Sequence, residues 1–233
     1  MNTNRLLLPL LTLPALALLT GCGADPQPAQ APIAEAPTAA ETAPAEPAAA
    51  DPKGEFLAAL AAHCGQSFAG RIIANQPVEP NDPFEGKALV MHVRECAPDA
   101  VKIPFHVGDD HSRTWVITRT ETGLRLKHDH RHDDGSEDEL TQYGGDTAAL
   151  GTSQRQEFPV DQFSIDMFEA QGRQVSTSNT WAIEIDPGQR YLYELSRPSG
   201  RLFQVEFDLT TPVPNPPTPW GHPPLPGDGA SAE

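Results

Sequence analysis

The 233-residue chain carries 32 Asp and Glu against 16 Lys and Arg, a formal charge of −16. So acidic a surface argues against nucleic acid and anionic lipid head groups as partners, and suits cationic ligands, divalent metals or plain solubility. Of its 25 prolines, 17 lie in two flanks around a segment, residues 54–210, long enough for a single core.

The chain opens with Arg5 and an apolar run over residues 6–19, broken only by Pro9, Thr12 and Pro14. The run is too short for a good spanning helix and has the layout of a secretory signal. It ends in Leu19-Thr20-Gly21-Cys22, which resembles the lipobox of bacterial lipoprotein precursors. The resemblance implies a signal peptide over residues 1–21, cleavage before Cys22 and lipidation of the Cys22 thiol. One acyl chain is a marginal anchor, whereas the multiply acylated Cys of this class holds stably. Gly23 follows, where members retained at the inner membrane tend to carry Asp. The resemblance therefore implies outer-membrane localisation, with the membrane as a partner through the N-terminal lipid and the domain facing the periplasm. Cleavage removes one Arg and no acid, leaving 15 bases against 32 acids, a charge of −17.

Residues 23–52 are almost entirely Ala, Pro, Glu, Thr and Gln, without an aromatic. They cannot bury enough surface to fold, so residues 22–53 read as a disordered linker that in polyproline II reaches on the order of 90 Å. With Cys22 lipidated, Cys64 and Cys96 remain. An even pair in an oxidising compartment predicts one disulfide, whose loop of ~32 residues is worth roughly 3–4 kcal/mol. No cysteine is then left as a nucleophile.

The domain opens with a predicted helix over residues 55–63, with Phe56, Leu57, Leu60 and Ala61 on one face and Gly65 as its stop. Residues 88–96 read as a strand, turned at Pro98-Asp99 and returned through Val101, Ile103 and Phe105. That pairing sets Cys96 opposite Val101 and His92 opposite Phe105. Strands follow over residues 113–120 and 124–132, joined at Glu121-Thr122. Asp161 is a predicted N-cap for a second helix carrying Phe163, Ile165, Met167 and Phe168, stopped by Gly172. Trp181, Ile183 and Ile185, then Tyr191, Tyr193 and Leu195, then Phe203, Val205, Phe207 and Leu209 alternate with polar residues across turns at Asp186-Pro187-Gly188 and Pro198-Ser199-Gly200. Period-2 segments joined by short turns are hairpins. The expected fold is mainly β, an antiparallel meander of about eight or nine strands with two short helices. It closes into a barrel, which removes sheet edges, with a β-sandwich as the alternative. The layout resembles the lipocalin-type barrel, although no Gly-x-Trp motif accompanies it. Residues 211–233 hold eight prolines with Trp220 and Leu225 as the only large side chains. They read as a disordered tail, or as a Pro-rich ligand for an envelope protein anchored by Trp220.

The sharpest chemical feature is residues 124–132, Leu-Arg-Leu-Lys-His-Asp-His-Arg-His. Alternation sets Leu124, Leu126, His128, His130 and His132 on one face of a strand. Pairing through Glu121-Thr122 sets Ile117 opposite Leu126 and Trp115 opposite His128. The histidines therefore extend an apolar face, as at a pocket mouth or a metal site. His128 and His130, at i and i+2, suit Zn or Cu through neutral imidazole nitrogen, with His92, His106, His111 or an acid as further ligands. The alternatives are solvated or hydrogen-bonded histidines at a barrel rim, or a pH-responsive cluster. Residues 133–139 fail the calcium-loop template and read as an exposed acidic loop. That loop continues through Tyr143-Gly144-Gly145-Asp146 as a connection that could cover the His-lined end.

No Gly-x-Ser-x-Gly elbow, Gly-rich phosphate loop or His-Glu-x-x-His helix occurs, so an enzyme is not favoured. The expected function is a lipid-anchored periplasmic barrel binding a small-molecule ligand, with a metal at the His strand as a further expectation. The alternatives are an assembly lipoprotein acting through envelope-protein contacts, and a metal-dependent hydrolase.

Overall fold

A computed structural model of the protein describes residues 50–78 and 82–229. The lipobox at Cys22 and most of the predicted linker lie outside the described residues. The elements run α1 (Pro52–Ala61), β1 (Ser67–Gln76), β2 (Leu89–His92), β3 (Glu95–Ala97), β4 (Ala100–Val107), β5 (Asp110–Arg119), β6 (Leu124–His130), β7 (Tyr143–Asp146), β8 (Arg155–Pro159), α2 (Gln162–Ala170), a 3-10 turn (Gln174–Ser178), β9 (Thr180–Asp186), β10 (Arg190–Ser196) and β11 (Leu202–Val213). No described helix is long and apolar enough to cross a membrane.

The strands form one antiparallel sheet in the order β7-β6-β5-β4-β2-β1-β11-β10-β9-β8, with β3 paired to β4. This is the expected meander, joined through β1 and β11. It curls until its two ends, β7 and β8, nearly meet, so the fold is an almost closed barrel and not a sandwich. The seam is held by Asp161 N–H donating to the Gly144 carbonyl at 2.9 Å and Gly144 N–H donating to Ser164 Oγ at 2.8 Å. α2 lies along it. Asp161 caps α2, its carboxylate accepting the Ser164 N–H, as its position before an apolar run implies.

Two strands at this seam do not show in the sequence pattern. β7 is Tyr-Gly-Gly-Asp, poor in β-formers, and was expected to be a covering loop. Glycine is required there because a Cβ at Gly144 would strike the Leu126 carbonyl and one at Gly145 the Pro159 carbonyl. Close backbone approach is the usual meaning of glycine inside a strand.

Large buried side chains fill the middle of the barrel. Trp115 stacks on Phe105 at 4.8 Å and on Tyr193 at 4.5 Å, with Tyr191 and Phe207 packed beside them. Phe56, Leu57 and Leu60 of α1 are buried and plug the end that holds the β5–β6 and β9–β10 turns. α1 begins earlier than expected, at the Asp51-Pro52 pair assigned to the linker. The Asp51 carboxylate accepts the Gly54 N–H at 3.0 Å, and proline is pre-shaped for a first helical turn. Cys64, just past α1, is bonded to Cys96 of β3 with a Cα separation of 6.2 Å, so the disulfide ties the plug to the sheet.

Two further expectations need correction. Cys96 faces Val101 as expected, but Met91, not His92, faces Phe105. An irregularity at Val93-Arg94 shifts the register by one residue, which turns His92 to the outer face of the sheet, where it is buried. The tail over residues 211–229 is not free. β11 runs on to Val213, and the rest crosses the outer face of the sheet. Asn215 Oδ1 accepts from Ser67 Oγ at 2.8 Å, Trp220 N–H donates to the His111 carbonyl at 3.0 Å, and Asp228 pairs with buried Arg94 at 2.6 Å. Proline packs there without leaving an unmet N–H.

Candidate functional site

The end of the barrel opposite α1 gathers the polar aromatic side chains. β5 and β6 pair with Trp115 opposite His128 and Ile117 opposite Leu126, the register read from the sequence. Leu124, Leu126 and His128 accordingly point into the core, while His130 stands at its rim.

His128 is fully enclosed. Its Nδ1 lies 3.1 Å from the Tyr143 carbonyl and its Nε2 2.8 Å from the Tyr193 hydroxyl. A carbonyl can only accept, so Nδ1 carries the proton and Nε2 accepts the Tyr193 O–H. The ring stacks on Tyr143 at 4.5 Å. Burial holds this imidazole neutral, its pKa down at about 3, with His130 adding to the effect. Both nitrogens are thus bonded to protein, and His128 has none left for Zn or Cu. Among the described residues no three or more His, Cys, Asp or Glu are arranged to hold a metal ion.

His130 shares the same neighbour: its Nε2 is 3.1 Å from the Tyr143 hydroxyl. Burial first, and the nearby Arg113 second, lower its pKa to about 4. Burial raises Tyr143 to about 12 and Tyr193 well above the ordinary phenol value. All four groups are neutral at pH 7, linked as Tyr193–His128–Tyr143–His130.

His130 also forms the wall between two open clefts. One, of about 260 Å³, is lined by His130, Asp138, Tyr143, Phe168, Arg173, Trp181 and Arg197, among others. The other, of about 610 Å³, is lined by His130, Arg113, Arg131, His132 and Trp220 with several acids. The exposed His132 therefore sits in the second cleft, away from His128. Trp115 lies in the core as part of the aromatic stack. His92 joins neither cleft. It lies on the outer face beneath the tail, near Arg94 and Asp228. There too His106 and His111 approach with Nδ1 atoms 2.8 Å apart. The strand pattern thus brings His128 and His130 together with Trp115 nearby, and leaves His92 and His132 elsewhere.

The partners that complete the site were not legible in the sequence. Tyr143 lies in a strand that the glycines disguise. Trp181, Tyr193 and Arg197 come from the far half of the chain, and Arg173 from the turn after α2. Trp181 and Tyr193 do carry the apolar alternation of their strands, but nothing local says that they meet His128.

No family model matches the chain, and no curated protein matches it. Among solved structures, a redesigned β-barrel aligns with 66% of this chain and 94% of its own, at 7% identity and a TM-score of 0.28. The architecture itself defines the class of protein: a filled antiparallel barrel, plugged at one end and indented at the other.

Proposed function

We propose that the chain is an outer-membrane lipoprotein, anchored through Cys22, whose periplasm-facing barrel binds a small ligand in the cleft between His130, Tyr143 and Trp181. The observation that carries this reading is the cleft itself. It has a buried aromatic floor and a rim of convergent polar groups, the usual make-up of a small-molecule site. The aromatic filling of the barrel centre directs a ligand to this end, unlike the hollow of a lipocalin-type barrel. The residues Leu19-Thr20-Gly21-Cys22 support the anchor. Assembly through a free Pro-rich tail has less support, because residues 211–229 pack on the barrel they belong to. The metal-dependent hydrolase has less support, because His128, one of its expected ligands, is bonded at both nitrogens.

The test is a ligand-observed NMR screen of small fragments against the full chain and against a Leu140→Trp variant. Leu140 lines the cleft and is partly exposed, so the larger side chain fills the space. Hits that vanish in the variant support the reading. Hits that survive it place the site elsewhere, and a screen without hits removes the ligand-binding reading. Labelled palmitate that enters the parent but not Cys22→Ala supports the anchor, and equal labelling overturns it.

A further inference from the structure

The charge around the cleft runs against the charge of the molecule. Acids outnumber bases two to one over the chain, and most arginines of the barrel are paired with carboxylates. Arg71 pairs with Glu206, Arg125 with Asp146, Arg131 with Asp129 and Arg155 with three glutamates. Arg173 is different. It lines the cleft, is exposed, and makes no ion pair among the described residues. Its backbone is fixed, since its N–H donates to the Phe168 carbonyl at 2.7 Å directly after Gly172, whose φ of +69° closes the helix. Arg197, which also lines the cleft, is held in place. Its Nε donates to Asn179 Oδ1 at 2.6 Å and its Nη2 to Ser176 Oγ at 3.4 Å. Asp138 is the one acid among the lining residues, which leaves Arg173 as the arginine of interest.

The same cleft has an aromatic floor. Tyr143 lies 5.5 Å from Phe168 and 5.7 Å from Trp181, centroid to centroid. Tyr143 and His130 are uncharged polar groups at the same wall. The volume, about 260 Å³, falls just under the range of about 300–1,000 Å³ that holds drug-sized ligands, so the occupant is small. Guanidinium groups match planar oxyanions in a two-point fork, and rings stack on an aromatic floor.

We propose that the barrel-end cleft selects a small aromatic carboxylate, its ring against Tyr143 and Trp181 and its oxyanion toward Arg173. This rests on the ligand-cleft reading above and adds the class of ligand. The cleft thus inverts, locally, the preference that the overall charge would suggest.

The experiment is isothermal titration calorimetry of the full chain with three probes of one shape: naphthalene-2-carboxylate, its neutral carboxamide and the cationic naphthylmethylamine. The carboxylate is expected to bind at least ten-fold more tightly than the amide and more tightly still than the amine. Arg173→Gln, at an exposed position, is expected to abolish the preference for acid over amide. Binding of the amide or amine as tightly as the acid overturns the anion assignment and leaves the cleft reading standing. So does a preference that survives Arg173→Gln. No binding by any of the three overturns both.

Discussion

Asp228→Ala tests whether one ion pair fastens the tail to the barrel. Arg94 is 1% exposed and Asp228 6% exposed at the side chain, so both charges are out of water. The guanidinium donates through Nε at 2.9 Å and through Nη2 at 2.6 Å to the two carboxylate oxygens. The same carboxylate accepts from Thr218 Oγ1 at 2.8 Å and from the Leu225 N–H at 3.0 Å. Without it, Arg94 keeps the Pro223 carbonyl at 2.6 Å and Glu95 at 3.2 Å, and Glu95 is one-third exposed. Stranding a buried charge in this way costs about 3–5 kcal/mol. With a urea slope of about 2 kcal/mol/M for a domain of this size, the unfolding midpoint should fall by about 2 M with the slope unchanged. The double variant Arg94→Met/Asp228→Leu should recover most of the loss, because apolar groups of similar volume replace a buried pair at little net cost. A single variant within 1 kcal/mol of the parent would refute the reasoning, as would a double variant no better than the single.

Acid should weaken the fold. His106, His128 and His130 are held at about 3, 3 and 4, burial being the main cause each time. The unfolded chain, with histidines near 6.5, therefore binds protons that the folded one refuses. Stability is complete above pH 6.5 and falls as pH drops toward 4, by about 1.4 kcal/mol per pH unit for each histidine. A urea midpoint that stays flat from pH 7 to pH 5 would contradict this. Tyr193→Phe removes the donor to His128 Nε2 and leaves a buried acceptor unmet, an expected loss of about 1–3 kcal/mol measured by thermal melting; no loss would break the assigned tautomer. Gly145→Ala sets a Cβ against the Pro159 carbonyl and should force the β7–β8 seam apart. Faster amide exchange at Gly144 and Asp161 would report the opening, and unchanged exchange would show that the seam tolerates side chains.

What the sequence made legible was whatever alternation carries. The β5–β6 register followed from one turn and a period of two, which was enough to set His128 in the core opposite Trp115. The β4–β5–β6 and β9–β10–β11 hairpins were readable for the same reason, and the disulfide from the count of cysteines. Alternation fails where a strand is chosen for clearance instead of hydrophobicity, as at Tyr143-Gly144-Gly145-Asp146. It fails again at Val93-Arg94, where one extra residue turns His92 outward. Composition misjudged the tail, because a low count of large side chains does not register a single buried carboxylate. The expectation of metal at His128 and His130 needed information that no local pattern holds: partners 15 and 65 residues away already occupy the His128 nitrogens.

The same contacts explain why the cleft lies where it does. Gly144 and Gly145 let β7 approach β6 and the β8–α2 junction closely, and that approach carries the Tyr143 carbonyl onto His128 Nδ1 and the Tyr143 ring onto the His128 face. His128 then fixes Tyr193 from inside. With the centre filled and one end plugged by α1, Tyr143, Trp181 and Phe168 leave a short gap at the other end, beside the start of the β10–β11 turn. His130 borders this gap because it stands two residues further along the strand than His128, where the apolar face meets water. The seam glycines and the ligand cleft are therefore parts of one arrangement. Opening the seam should disturb Tyr143 before it disturbs the rest of the barrel, so Gly145→Ala should weaken binding of naphthalene-2-carboxylate under conditions where the barrel stays folded. Unaltered affinity in a variant whose seam has opened would separate the two.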